Sequence, residues 1–261
     1  MDSSSELEIS AVNRRSVPTL ALVTLCKDDP GGLRRTLEST VRLRARYPVI
    51  HRVIDGSDRE REEVGRVIDS YPGVLYCWVE PNGTSDALNH ALDMVEEPWV
   101  WFLNSGDELL ESFNLNLLTE LLTHTTAQVV TFSIIDENGD PSRRPPLPFM
   151  WPPLFTWLCI LATVFRTEQL KLIGGFDRSF KIANDGEMWF RLLGRRSVTL
   201  DIVSVPMVRM EPAGMSGNRR AVATEALGYL KKHRYIILKR WLQGGLRYFE
   251  AKRKFRRRLD S

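Results

Sequence analysis

Residues 99–110 read WVWFLNSGDELL. Five consecutive aromatic and aliphatic residues, Trp99 to Leu103, suit a strand buried on both faces, as at the centre of a parallel sheet. The run stops abruptly at Asn104-Ser105-Gly106-Asp107, with a further acid at Glu108. In open α/β sheets, ligands bind in the crevice beyond the carboxyl ends of the strands. Asn, Ser and Gly also supply ordinary turn chemistry, and Asp107 would cap a following helix. The neighbouring sequence decides between a site and a turn.

Upstream, TLALVTLC (19–26) reads as a buried strand, followed by KDDPGG and the helical pattern LRRTLESTVRLRARY. In that helix Leu33, Leu37, Thr40 and Val41 recur at helical spacing while the arginines face water. VIHRVIDGSD is a second strand, ending at Asp55-Gly56-Ser57-Asp58, and a charged helix follows over 59–70. GVLYCWVEPNGTSD is a third strand, and the helix DALNHALDMV (86–95) leads back to the opening stretch. Strands alternating with helices predict βαβ units, a parallel sheet and right-handed crossovers. Three strands end in polar clusters: Lys27-Asp28-Asp29, Asp55 to Asp58, and Asn104 to Asp107. In a parallel sheet those ends share one rim, which predicts a pocket lined with oxygen ligands. The chain has neither G-x-x-x-x-G-K-[ST] nor G-x-G-x-x-G, so a nucleotide there would be held through side chains and a metal.

Downstream, 112–123 reads as a helix, QVVTFSII (128–135) as a strand, and KIANDGEMWFRLLGR as a helix with an acidic start. The most apolar stretch, FMWPPLFTWLCILATVF (149–165), contains Pro152 and Pro153. It is short for a spanning helix and reads as buried or interfacial. Trp151 and Trp157 suit either stacking on an acceptor sugar or packing of this proline-rich loop.

The 261 residues are 43% hydrophobic and 26% charged, enough for one sizeable core. Three widely spaced cysteines without a C-x-x-C pair indicate neither a disulfide framework nor a zinc site, and a reducing cytosol is the simplest home. The polar, acidic start MDSSSELEIS lacks the pattern of a signal peptide, and 1–16 reads as a flexible leader. Charge is unevenly spread. Residues 231–258 carry 12 Lys or Arg against the single acid Glu250, whereas 1–230 hold 24 bases and 31 acids. A basic amphipathic helical tail with aromatics reads as a membrane-surface element, with nonspecific nucleic-acid attraction as the competing reading.

The ordered set VTLCKDD, VIDGSD, GTSDALNHAL, WFLNSGDEL and GGFDRSFKIANDGEMWFRL resembles glycosyltransferase family 2, in its bacterial exopolysaccharide and colanic-acid branch. The resemblance runs from about residue 18 to about 217. It implies an α/β GT-A fold with a mostly parallel central sheet flanked by helices. Within it, 17–218 would form the catalytic domain, 17–110 the nucleotide-binding half, 111–218 the acceptor half, and 219–261 the basic tail. Carried over by position, Asp55 with Gly56 and Ser57 would contact the base, and the turn Thr24, Leu25, Cys26 to Asp28 would wrap the nucleotide. Asp86 and Asn89 match the donor-contacting DALN motif, next to the Asn82-Gly83 turn. Asn104, Ser105 and Gly106 would face the donor, and Asp107 would hold Mn²⁺ or Mg²⁺. Asp185 matches the catalytic base, with Glu187 as the rival acid and Arg191 as the arginine on the following helix. The sequence departs from the family where Asn104 and Gly106 replace acids of the metal motif, and where Asn184 replaces the Glu before Asp185. A weaker metal site is the expected consequence.

The activity so implied is inverting, metal-dependent sugar transfer from a nucleotide-sugar donor to a lipid-linked glycan acceptor, in exopolysaccharide, capsule or O-antigen synthesis. UDP is favoured because Asp55 accepts a uracil N–H naturally, and guanine offers N–H donors too. The enzyme would sit in the cytoplasm, peripheral on the inner face of the membrane, with no specific nucleic-acid partner. Two other readings stand at this stage: an inactive homologue kept as a nucleotide-sugar-binding scaffold, and a nucleic-acid-binding protein acting through its tail.

Overall fold

The computed structural model describes residues 17–136, 138–143, 158–195, 197–211 and 219–234. Its first half is built as the alternation predicts. Strands β1 (Leu20–Cys26), β2 (Val49–Asp55), β3 (Leu75–Trp78) and β4 (Trp99–Phe102) run parallel in the order β3-β2-β1-β4. They are joined by helices α1 (Pro30–Ser39), α2 (Val41–Arg46), α3 (Arg61–Asp69) and α4 (Thr84–Met94). The helix expected over 33–47 is divided at Thr40 (φ −95°, ψ 0°). There the Thr40 hydroxyl donates to the carbonyls of Thr36 and Leu37, competing with the backbone ladder as threonine does within helices.

β4 is buried on both faces, as its composition requires. Trp99 and Trp101 pack with Phe113, Leu118 and Leu122 on one side. Val100 and Phe102 pack with Leu88, Phe176 and Trp189 on the other, with Phe102 edge-on to Phe176 at 5.6 Å between centroids. This strict alternation is what a period of two delivers in a central strand.

Beyond β4 the sheet becomes mixed. The chain continues through β5 (Glu108–Leu109), α5 (Leu115–His124), β6 (Val129–Ile135), β7 (Pro141–Arg143), β8 (Thr163–Arg166), α6 (Thr167–Leu172), α7 (Asn184–Leu192), β9 (Leu200–Arg209) and α8 (Arg219–Lys232). The order extends β4-β8-β6-β9-β5, with β7 on β6. β8 is antiparallel to both β4 and β6, and β9 is parallel to β6. One sheet therefore spans both halves of the chain. Helix α8 packs onto the body: Tyr229 is buried against Phe180 and Phe190. Among the described residues no helix is long and apolar enough to cross a membrane. The leader, Trp151, Trp157 and the tail beyond residue 234 lie outside the described residues.

Candidate active site

The carboxyl ends of β1, β2 and β4 meet along one rim and are bonded to one another through backbone. The N–H of Gly56 donates to Cys26 O at 2.9 Å, and that of Ser105 to Leu25 O at 2.9 Å. At the β2 end, Asp55 is fully buried; its Oδ1 accepts the Ser57 N–H at 2.9 Å and its Oδ2 the Tyr76 hydroxyl at 2.8 Å. Trp78, the register partner of Asp55, donates its indole N–H to Ser57 O, and Arg61 lies 4.3 Å above its ring. Asp28 adopts a left-handed backbone (φ 50°), and its Oδ1 accepts the N–H groups of Asp58, Arg59 and Glu60. The amides of Glu60 and Arg59 hold this carboxyl below the usual range. Asp28 therefore shapes the loop after β2, and contact with a nucleotide would be shared with that work.

Two members of the expected donor set are turned inward. Thr24 is fully buried and pairs with His51 Nε2 at 2.9 Å, while Arg44 Nη1 lies 3.0 Å from His51 Nδ1. A guanidinium only donates, so Nδ1 accepts and Nε2 carries the proton towards Thr24. Burial and then the Arg44 charge push the His51 pKa down to about 3, keeping the ring neutral. The Cys26 thiol, buried beside the rim, is pushed up to about 12 mainly by desolvation, which makes it unreactive. Leu25 meets the rim through its backbone carbonyl.

The 104–107 turn is riveted to α1. The Thr36 hydroxyl donates to Asn104 O (3.1 Å) and Asp107 O (2.8 Å), and Ser39 Oγ accepts the Leu109 N–H. Gly106 has φ +91°, and a Cβ there would lie 1.4 Å from Glu211 Oε2, so glycine is required by conformation and by space. Asp107 is 5% exposed, and its Oδ1 accepts the Glu211 N–H at 3.0 Å. Burial, opposed by that N–H and reinforced by the Glu211 charge, pushes the Asp107 pKa up to about 7. Glu211 in turn pairs with Arg35 at 2.7 Å. The sequence reading missed Glu211, which follows β9 and stands over the turn. Its signal was an acid just after an apolar strand that went unrecognised.

Asp107 and Glu211 offer two carboxylates to a cation, and among the described residues no group of three or more His, Cys, Asp or Glu converges. Such a pair fits a divalent ion that takes its remaining oxygens from phosphate and water.

The remaining expected site residues divide sharply by environment. Asn89 is buried, and its amide both donates to Phe176 O and accepts the Phe176 N–H at 2.7 Å. Gly175 (φ +67°) lies against it, where a Cβ would fall 2.2 Å from Asn89 Oδ1. Asn89 thus joins α4 to the GGFD loop. Glu187 is fully buried, with two contacts to Arg191 at 2.6 Å and one to His233 Nε2 at 2.6 Å. Arg191 also donates to the carbonyls of Ile173 and Gly175. The sequence reading placed Glu187 and Arg191 among catalytic groups. The structure places them in a buried ion pair that fixes the same loop, because α7 turns that face inward. Asp86, half-buried, pairs with Arg178 at 2.6 Å. Asn82 and Gly83 are exposed at the start of α4.

Asp185 is half-buried in the first turn of α7, and its Oδ1 accepts the Gly186 N–H at 2.7 Å. The segment before it is held from two sides. Ser85 donates to Phe180 O (2.6 Å) and accepts from Asn184 Nδ2 (3.0 Å). Glu225 of α8 accepts the N–H groups of Lys181, Ile182 and Ala183. Partial burial works against the Glu225 charge, but the three amides outweigh it and hold its pKa down. Asp177 behaves likewise: burial opposes ionisation, and Lys232 and Ser179 bring it to about 2.

A curled mixed sheet with acids at the ends of its parallel strands is the architecture of GT-A glycosyltransferases. The Glycosyl transferase family 2 model matches residues 22–183, more than half of the chain, and the protein belongs to that family. Two uncharacterized glycosyltransferases from Mycobacterium tuberculosis strains, MT1564 and Rv1514c, are 29% identical to it over 182 residues, covering 67% of this chain and 69% of theirs. Among solved structures, Staphylococcus aureus TarS 1–349 in complex with UDP superposes with a TM-score of 0.60 at 15% identity, over 79% of this chain and 65% of that one. The mannosyltransferase PcManGT from Pyrobaculum calidifontis, in complex with GDP-Man and Mn²⁺, gives 0.57 at 17% identity, over 83% and 64%. The chain thus spans just under two thirds of either solved neighbour, and these likenesses show the shared fold.

Proposed function

We propose that this glycosyltransferase moves a sugar, with inversion, from a nucleoside-diphosphate donor to a lipid-linked glycan acceptor, assisted by Mn²⁺ or Mg²⁺. The observation that carries the reading is the buried Asp107 carboxylate beside Glu211, on the rim where the three parallel strands end. The solved neighbours add support, since one holds UDP and another GDP-Man with Mn²⁺. In this reading Asp55, with Ser57 and Tyr76 fixing its carboxylate, accepts an N–H of the base, and UDP is favoured.

Cleavage of the bond between the anomeric carbon and the diphosphate leaves the electron pair on phosphate oxygen. A divalent ion, when bound, neutralises that developing charge as a Lewis acid. Asp107 and Glu211 would hold it. The acceptor hydroxyl forms the new bond from the opposite face and passes its proton to Asp185, a contribution of about 10²–10⁴-fold for a positioned base. The acceptor belongs to exopolysaccharide, capsule or O-antigen assembly, and the basic residues of 231–258 meet an anionic membrane surface at the cytoplasmic face. Sequence charge is the support for that placement, at about 1 kcal/mol per base near the leaflet.

Calorimetric titration of UDP and GDP, with and without Mn²⁺, into wild type and Asp107→Ala tests the reading. Binding of one nucleotide that needs the metal and is lost in the variant is expected. Nucleotide binding indifferent to both metal and Asp107 would overturn the metal role, and absence of binding to either nucleotide would overturn the donor class.

A further inference from the structure

We propose that Glu225 of α8 is a positioning residue for transfer: its carboxylate grips the 181–183 backbone and sets where Asp185 stands at the entry of α7. The inference rests on the reading of Asp185 as the base. The N-cap of α7 is Ala183, which has no side chain able to accept a helix N–H. Asn184 and Asp185 accept the next two N–H groups of the first turn, at 2.8 and 2.7 Å, but no side chain of its own holds the 181–183 segment that leads into the helix. Glu225 holds that segment from outside, with contacts of 3.0, 2.8 and 2.9 Å to three successive amides. Hydrogen bonds to a charged acceptor are roughly twice as strong as neutral ones, and three converging on one carboxylate fix a short backbone segment.

The clamp is itself anchored. Tyr229, one turn on from Glu225, is buried between Phe180 and Phe190, Lys232 pairs with Asp177, and His233 reaches Glu187. On the other flank Ser85 of α4 ties Phe180 and Asn184 to the donor half. Asp185 is thus aligned between an element that carries the donor-side motif and one that carries only structure. A displacement of about 1 Å at a reacting group costs on the order of 10²-fold in rate, so loss of one of the two grips is expected to show in turnover.

The test uses the full chain and four proteins: wild type, Glu225→Ala, Glu225→Gln and Asp185→Asn. Nucleotide release from UDP-glucose, UDP-N-acetylglucosamine and GDP-mannose gives turnover, calorimetry gives nucleotide affinity, and hydrogen exchange reports the amides of 181–186. Glu225→Ala is expected to lose about tenfold or more in kcat while nucleotide Kd stays within about twofold. Faster exchange is expected in 181–186 alone. Glu225→Gln, whose amide oxygen still accepts N–H groups, is expected to recover much of the loss. Unchanged turnover in Glu225→Ala, or equal losses of turnover and affinity with exchange rising throughout the chain, would overturn the positioning role. Full turnover in Asp185→Asn would overturn the base assignment and with it the purpose of the clamp, and that failure is read in a different variant.

Discussion

Asp107 carries the sharpest electrostatic consequence at the scale of single residues. Burial raises its pKa from the ordinary 3.8 to about 7. Between those values the unfolded chain releases a proton that the folded protein keeps, so this residue's contribution favours folding at low pH and fades as pH rises towards 7. The full difference is on the order of 4 kcal/mol. His51 acts in the opposite sense, since its pKa of about 3 makes the fold lose stability as pH falls below 6.5. The two slopes offset each other in the wild-type curve, and only a difference between variants isolates Asp107. In chelator, Asp107→Asn is expected to be more stable than wild type at pH 8 and equal to it near pH 4. Added Mn²⁺ is expected to raise the wild-type Tm more at pH 8 than at pH 5.5 and to leave the variant unmoved. Melting curves of both proteins check this, and identical responses would refute the assignment.

At the scale of elements, α8 is the surprise. From charge alone the segment beyond 219 reads as an appended tail, yet Tyr229 is only 3% exposed and helps build a small aromatic cluster with Phe180 and Phe190. Removing such a side chain costs about 3–5 kcal/mol. Tyr229→Ala is therefore expected to lower the urea midpoint markedly and to raise hydrogen exchange in 180–184 and 219–234 together. Exchange that rises in α8 alone would mean that the helix is not coupled to the loop. The legible elements are those with local signatures: β1 and β4 are nearly unbroken apolar runs, β2 is a β-branched stretch interrupted by His51 and Arg52, and α1, α3 and α4 keep helical spacing. β9 had no such signature. Its exposure does not alternate cleanly, it contains Pro206, and its pairing with β6 shifts register twice. Glu211 was lost with it. Conversely, the placement of Asp55 and Asp107 on the rim is legible because an acid at the end of a buried strand is conspicuous in one dimension. Asn89, Glu187 and Arg191 are chemically of the right type, but their partners are chosen by tertiary packing that spacing does not encode.

At the scale of the molecule, the strands before and after residue 110 share one sheet. β4 is paired by β1 on one side and by β8 on the other, and Trp101 donates its indole N–H to Leu161 O across that junction. The division expected at residue 110 does not separate folding units. A fragment of residues 17–110 would expose Trp99, Trp101 and a bare central strand, an edge that proteins normally cover. Such a fragment is expected to lack cooperative unfolding by circular dichroism and to bind no nucleotide; a cooperatively folded fragment would refute the single-sheet dependence.

Asp107 and Glu211 lie 104 residues apart in the chain. At ribosomal rates of about 5–20 residues per second, roughly 5–20 s separate the synthesis of the first carboxylate from that of the second. A nascent chain in that interval carries Asp107 without the residue whose N–H its carboxylate accepts. The acid pair is therefore completed late, and the timetable for it is written in the connectivity of the last strand.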